Sequence, residues 1–198
     1  AQEGTGRGAK DAANVLVING SDAYLPAFVA IDSAMRAAVE QRYDRPVVWL
    51  YETLDALRFG ADAVSPQLAE LMAQKYGDGR IDAVVLVAEP AADFYLRYRE
   101  RLWPNAAVVF HSVMSEVAWQ RCIEAGMSGV AVDADYEQTL RIAFALQPDA
   151  RRIVVVAGVA AFDQMQLAQA RRAVQAYAGR AQVEYLIGHS PSAMAERL

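Results

Sequence analysis

Eight side chains with binding chemistry lie in short loops that follow apolar segments of the chain. They are Ser21, Asp22, Tyr24, Glu89, His111, Ser112, Phe162 and Asp163. They supply hydroxyls, carboxylates, one imidazole and two aromatic rings, a mixture that suits a small polar or aromatic molecule. We therefore predict that these residues bind a ligand. We assign no catalytic residue, no metal ligand and no cofactor to the chain.

Several of these residues also have a structural interpretation. Ser21 or Asp22 can cap the long helix that follows them, and Glu89 can favour the dipole at a helix N-terminus. A lone histidine that ends a buried strand, as His111 does, is more often structural than a ligand contact. Phe162 can belong to the core, because aromatic rings bury well. At the level of sequence both interpretations stay open.

Five apolar runs, rich in β-branched residues, alternate with helical patterns in the first two thirds of the chain. These runs span residues 14–19, 47–51, 83–87, 107–110 and 129–132. Every connection is long enough to contain a helix, so the strands should run parallel with helices on both faces. We predict an α/β fold with a doubly wound parallel sheet over residues 14–133. Ligands bind outside the carboxyl ends of such strands, which is where the first six candidate residues lie.

Two helices of this first lobe have clear sequence signals. Over residues 26–43, Ile31 and Met35 share one helical face, while Asp32 falls on the opposite face. We predict that the apolar face packs on the sheet. At Ser65 a hydroxyl is followed by proline, a pair that is typical of a helix start. We predict that a helix begins there.

The pattern of strands and helices restarts near residue 134. Asp135 is placed to cap a helix, and further elements follow as a strand at 153–158, a helix at 163–177 and a strand at 182–187. Two strands are too few to close a covered parallel sheet alone. We predict a truncated second α/β lobe over residues 134–198, which packs onto the first sheet or pairs with another copy of itself.

The first thirteen residues form a polar, glycine-rich leader. Gly4, Gly6 and Gly8 precede the first strand, whereas the glycines of a phosphate-binding loop follow one. We predict that residues 1–13 are disordered. A start without methionine fits a chain from which a secretory signal has been removed.

Composition excludes several functions. The net charge is −5, which argues against nucleic acid, because its binding rests on Lys and Arg that neutralise phosphates. No apolar run reaches the length of a membrane-spanning helix, and the lone Cys122 cannot form an internal disulfide. The chain has no Gly-x-Ser-x-Gly turn of a serine hydrolase, no zinc-ligand spacing and no dinucleotide fingerprint.

Several segments carry a resemblance to a known family. They are VLVINGS at 15–21 with LPAF at 25–28, YETLD at 51–55 with RF at 58–59, KY at 75–76 with IDAVV at 81–85, and RYRERLWP at 97–104 with VVF at 108–110. In texture and spacing the chain resembles the periplasmic sensor domains of bacterial sensor histidine kinases. These domains are related to type I ABC-transporter substrate-binding, or periplasmic-binding-protein-like, proteins.

This resemblance implies two similar α/β lobes hinged around a ligand cleft. It implies an extracytoplasmic, periplasmic domain that senses a small molecule. We expect a ligand of the amino acid, aromatic or organic acid class, although the resemblance does not identify it. A membrane-spanning kinase portion of the parent chain would receive the signal, and a homodimer would be its oligomeric form. A substrate-binding protein of an ABC transporter is the alternative function, and an α/β hydrolase-type enzyme is a third.

Overall fold

The computed structural model describes residues 12–77, 79–130, 132 and 134–197. Residues 1–11, with Gly4, Gly6 and Gly8 of the predicted leader, lie outside the described residues. The chain divides into two compact units, Ala1–Asp133 and Ala134–Leu198. The first unit contains β1 (Ala13–Asn19), α1 (Pro26–Arg42), β2 (Val47–Thr53), α2 (Ala56–Phe59), α3 (Ala61–Tyr76), β3 (Ala83–Val87), α4 (Glu89–Tyr98), β4 (Ala107–His111), α5 (Glu116–Glu124) and β5 (Ser128–Val130).

The five strands of the first unit form one parallel sheet in the order β2-β1-β3-β4-β5. The chain runs from β1 outward to β2 and then crosses back to place β3 on the other side of β1. The direction of winding therefore reverses between β1 and β3, and this is where doubly wound sheets bind ligands. The predicted α/β fold with a doubly wound parallel sheet is confirmed.

The two faces of this sheet differ in how completely they are covered. On one face α3, α4 and α5 bury a large core that includes Leu16, Leu86 and Phe110. On the other face a small buried cluster, Val17, Val85 and Val87, packs against residues of α1. Because alternating side chains of a strand point to opposite faces, the residue two positions after Val17 lies on the same face as this cluster. That residue is nearer to the carboxyl end of its strand.

Two predicted details of the helices are wrong. In α1, Asp32 is half-buried and Ile31 is exposed, because the Tyr51 hydroxyl donates a hydrogen bond to Asp32 Oδ1 at 2.8 Å and so satisfies a carboxylate on the inner face. Helix α3 begins at Ala61 and not at Ser65, with Pro66 inside the helix. Ser65 is buried at 6% exposure, so its position reflects packing and not a helix cap.

The second unit has a smaller architecture of its own. Its elements are α6 (Tyr136–Leu146), β6 (Arg152–Ala157), α7 (Ala161–Gln175), β7 (Gln182–Ile187) and α8 (Pro191–Ala195). Strands β6 and β7 pair in parallel as a separate two-stranded sheet. The predicted cap is confirmed, since Asp135 Oδ1 accepts the Gln138 amide at 2.7 Å. The rings of Phe144 and Tyr177 stack with centroids 4.8 Å apart.

Across the described ranges, no helix combines the length and the apolar character needed to span a bilayer.

Candidate functional site

A row of side chains crosses the carboxyl ends of the strands on the α1 side of the first sheet. The strand register places Thr53 beside Asn19, Asn19 beside Val87, and Val87 beside His111. Neighbouring strands lie about 5 Å apart, so Asn19 and His111 are separated by roughly 10 Å, with Val87 between them. Polar groups from β1, β2 and β4 therefore share the edge where the winding reverses.

Asn19 and Ser21 are nearly buried, with 5% of each residue exposed. Within the part of the chain that the structure describes, neither side chain has a hydrogen-bond partner. Every fully shielded side-chain nitrogen or oxygen there does have one, so the polar atoms of Asn19 and Ser21 must reach solvent at this edge. Buried polar groups are normally paired, because leaving them unpaired costs stability. Asn19 and Ser21 avoid that cost only by opening to solvent at this edge, where their polar atoms are available to a ligand.

Gly20 allows β1 and α4 to approach each other closely between these two residues. Its amide donates to the Val87 carbonyl at 2.9 Å. A Cβ on Gly20 would lie 2.8 Å from the Ala91 nitrogen and 3.0 Å from the Val87 carbonyl oxygen. Only glycine fits this junction without a shift of the backbone. The junction fixes Asn19 and Ser21 against the start of α4.

Ala88, between β3 and α4, has a strained backbone. Its φ of 68° and ψ of 164° fall in a region that is essentially restricted to glycine. The Ala88 amide donates to the His111 carbonyl at 3.0 Å, and its carbonyl accepts the amides of Ala91 and Ala92 at 3.2 and 3.3 Å. These bonds hold the ends of β3 and β4 and the first turn of α4 together at the candidate site.

His111 ends β4 as a half-buried residue on the α1 face. Its ring meets the Phe28 ring edge to face, with centroids 6.5 Å apart, and its Nδ1 lies 2.9 Å from Ser112 Oγ. Burial lowers the pKa of His111, although the Asp32 carboxylate acts weakly in the opposite direction. The imidazole is therefore neutral at pH 7 and offers one donor and one acceptor.

Asp22 and Tyr24 form the outer rim of the loop after β1. Asp22 Oδ1 accepts the Tyr24 amide at 2.8 Å, and the Tyr24 residue is 87% exposed. The N-cap of α1 is Leu25, which makes no side-chain cap bond. The alternative that Ser21 or Asp22 caps α1 is therefore wrong, and both residues stay in the proposed site.

Glu89 lies in the first turn of α4. Burial raises the pKa of its carboxyl group, with a further contribution from the Asp93 carboxylate, and the Ser115 amide and Arg121 act in the opposite direction. Asp93 itself pairs with Arg121 at 2.7 Å. Glu89 therefore lies beside the N-terminus of α4, as its structural interpretation requires, and it also borders the carboxyl edge of the sheet.

Phe162 and Asp163 belong to the second unit and lie in the first turn of α7. Phe162 is 48% exposed, so the alternative that it belongs to the core is wrong. Asp163 Oδ2 accepts the Ala160 amide at 3.1 Å. A Cβ on Gly158 would lie 2.1 Å from this carboxylate oxygen, so the loop after β6 closes tightly around Asp163. A binding role for these two residues stays a prediction.

Sequence reasoning missed Asn19 and Thr53, which end β1 and β2 side by side at the carboxyl edge of the sheet. A signal for Asn19 was present, since a single amide closes the apolar run of residues 15–18. A polar residue that ends a buried strand belongs to the sheet and also lies at its carboxyl edge, where a ligand can reach it. No group of His, Cys, Asp and Glu side chains suited to a metal ion occurs among the described residues.

Comparison with known proteins gives a fold. No protein-family profile matches the chain, and no curated protein is significantly similar to it in sequence. The chain is similar to the crystal structure of a conserved domain protein from Vibrio cholerae, with a TM-score of 0.59 and 17% identity, over 88% of this chain and 57% of that one.

Two further solved structures are similar. One is a ligand-free, open substrate-binding protein with adhesive properties from Clostridium difficile, with a TM-score of 0.59 and 13% identity over 93% of this chain and 60% of that one. The other is the lac repressor dimer bound to operator and the anti-inducer ONPF, with a TM-score of 0.52 and 13% identity over 87% of this chain and 55% of that one.

The chain thus spans 55% to 60% of the length of these three relatives. At such low identities the likeness establishes the fold. The chain has the fold of the periplasmic-binding-protein-like domains, and in this coarser form the resemblance predicted from the sequence is confirmed.

Proposed function

We propose that this chain is a small-molecule-binding module whose ligand contacts the carboxyl edge of the first sheet. The observation that carries the proposal is the pair Asn19 and Ser21, which are nearly buried, lack partners in the described structure and open at the winding reversal. Two of the structural relatives are a substrate-binding protein and a repressor bound to an anti-inducer, which supports a ligand-binding role.

The remaining predicted residues are proposed as contacts around this pair. His111 and Ser112 lie on the same edge, Asp22 and Tyr24 form the outer rim, and Glu89 borders it at the start of α4. Phe162 and Asp163 belong to the second unit, and a binding role for them is a separate proposal. Geometry supports His111 best, since the register places its strand end on the same face as Asn19.

A ligand screen tests the proposal. Amino acids, aromatic and organic acids, purines and sugars are each added, and the melting temperature is followed, because a ligand that binds the folded state raises it. Every hit is repeated with Ser21→Ala and with Ser33→Ala, a control on the exposed side of α1. We expect Ser21→Ala to abolish the shift and Ser33→Ala to preserve it.

The stability of the free variant separates a binding role from a structural one. Ser21→Ala removes a nearly buried hydroxyl that bonds to no described group, so the free protein should keep its stability or gain up to about 1 kcal/mol. If Ser21→Ala instead destabilises the free protein by the 1–3 kcal/mol typical of a broken buried hydrogen bond, Ser21 is structural. If no compound raises the melting temperature, the binding proposal fails.

We further propose that the module is the extracytoplasmic, periplasmic sensor domain of a two-component histidine kinase. A membrane-spanning kinase portion of the parent chain would read the bound state, and a ligand can shift such an equilibrium only by its difference in affinity between the two states. The alternative is a substrate-binding protein of an ABC transporter. Ligand-dependent autophosphorylation of the parent protein in membrane vesicles would support the first, and its absence in a parent without kinase motifs would support the second.

A further inference from the structure

The loops that follow β1, β2 and β3, together with the first turns of the helices after them, carry an excess of negative charge. Their described part contains the carboxylates of Asp22, Asp55 and Glu89. Its one basic side chain is Arg58, whose Nη1 lies 3.1 Å from Asp55 Oδ2. On α1, Arg36 lies over the Trp49 ring. A ligand carboxylate that entered this edge would find Arg58 already paired and would approach two further carboxylates.

The Ala91 and Ala92 amides in the first turn of α4 do not replace the missing cation. The N-terminus of a helix commonly binds anions through its free amides. In α4, however, Pro90 has no N–H group, and the Ala91 and Ala92 amides already donate to the Ala88 carbonyl. The Glu89 carboxyl group occupies the same turn. In α5 the Ala118 amide is bonded to the Ser115 hydroxyl at 3.3 Å. Burying an anion without a compensating positive charge is strongly unfavourable.

The groups that remain open are uncharged, and each can both donate and accept a hydrogen bond. The Asn19 amide has two donor hydrogens and a carbonyl oxygen, and the hydroxyls of Ser21 and Thr53 donate and accept. A cation offers donors only, so it would leave the donors of Asn19 unpaired. A hydroxyl or carboxamide on the ligand satisfies both kinds of group.

We infer that the ligand presents an uncharged hydroxyl or carboxamide group, and not a carboxylate or an ammonium, to Asn19 and Ser21. This inference rests on the proposed binding function and narrows its ligand class. It places the acid or amine of any charged ligand away from these two side chains. Sites built from buried hydrogen-bonding groups reject analogues that leave those groups unpaired, often by large factors.

Two matched series of probes test the inference. The first compares nicotinamide with nicotinate. The second compares glucose with glucuronate, which has a carboxylate in place of the C6 hydroxymethyl group, and with glucosamine, which has an ammonium in place of the C2 hydroxyl. Binding is measured by calorimetry at millimolar ligand, with wild type, Ser21→Ala and Asn19→Asp. We expect at least one uncharged member to bind about tenfold tighter than its charged partners and to lose this advantage in Ser21→Ala.

The Asn19→Asp variant reverses the selection without a change of size. Its carboxylate accepts hydrogen bonds only, so glucosamine should bind this variant better than glucose does. Tighter wild-type binding of nicotinate, glucuronate or glucosamine that depends on Ser21 would overturn the inference and leave the binding function intact. If no probe binds while another compound of the screen binds through Ser21, a charged group on that compound at Ser21 overturns the inference, and an uncharged hydroxyl or carboxamide there supports it. If neither the probes nor the screen show binding, the function itself fails.

Discussion

Replacing Ala88 with glycine should stabilise the first unit, against the usual direction of an alanine to glycine change. The Ala88 backbone, at φ 68° and ψ 164°, costs of order 1–3 kcal/mol for a residue with a Cβ. Glycine adopts this conformation freely. The change therefore releases about 2 kcal/mol of strain in the folded state.

Two smaller terms oppose this gain. Glycine has more conformational freedom in the unfolded chain, which costs about 0.7 kcal/mol, and loss of the half-buried Ala88 methyl group costs roughly 0.4 kcal/mol. The net expectation is a stabilisation of about 1 kcal/mol. In a protein of this size that raises the melting temperature by roughly 3 °C.

Tryptophan fluorescence in urea measures the effect on the first unit alone. All three tryptophans, Trp49, Trp103 and Trp119, lie in that unit, so unfolding of the second unit does not contribute directly to the signal. The control is Ala37→Gly on the exposed side of α1, which should cost about 1 kcal/mol through helix propensity. The two variants should therefore differ by about 2 kcal/mol in opposite directions. If Ala88→Gly destabilises the unit as much as Ala37→Gly does, the assigned strain is wrong.

Three further changes test other features. Gly20→Ala should destabilise the first unit by about 1–3 kcal/mol in urea, because its Cβ would lie 2.8 Å from the Ala91 nitrogen; wild-type stability would contradict the close junction. His111→Gln should flatten the pH dependence of unfolding. Burial lowers the pKa of His111 in the folded state, so on acidification the unfolded state takes up the proton at a higher pH than the folded state does. Wild-type stability therefore falls as the pH drops below about 6.5. A variant with an unchanged pH slope would show that His111 is not shielded. Asp135→Ala should lower the melting temperature of the second unit through loss of about 1 kcal/mol of capping, as circular dichroism would report, whereas Asp149→Ala, outside any helix, should not.

Local patterns were sufficient to predict most of the architecture. The strands Ala83–Val87 and Gln182–Ile187 were predicted with the bounds that the structure has. The parallel arrangement followed from helices in every connection. Each of these features depends on residues that are neighbours along the chain, namely the spacing of apolar side chains and the length of the linkers.

Details that depend on distant partners were predicted less well. The helical period placed Ile31 inside and Asp32 outside, but the Tyr51 hydroxyl of β2 bonds to Asp32 and reverses the two. The pair Ser65 and Pro66 looked like a helix start, yet the helix runs from Ala61 through both. In α1 a hydrogen bond to a distant strand outweighed the local pattern, and in α3 the local cap signal coincides with a buried position inside the helix.

The order of strands and helices, and with it the edge at which a ligand can bind, is determined by the sequence alone. Only the tertiary structure decided which groups at that edge are open. Whether Asn19 and Ser21 have partners depends on strands and helices that come from separate parts of the chain and pack around them. A hydrogen bond that is missing in the folded state has no local pattern, because it is the result of how all neighbouring groups are placed.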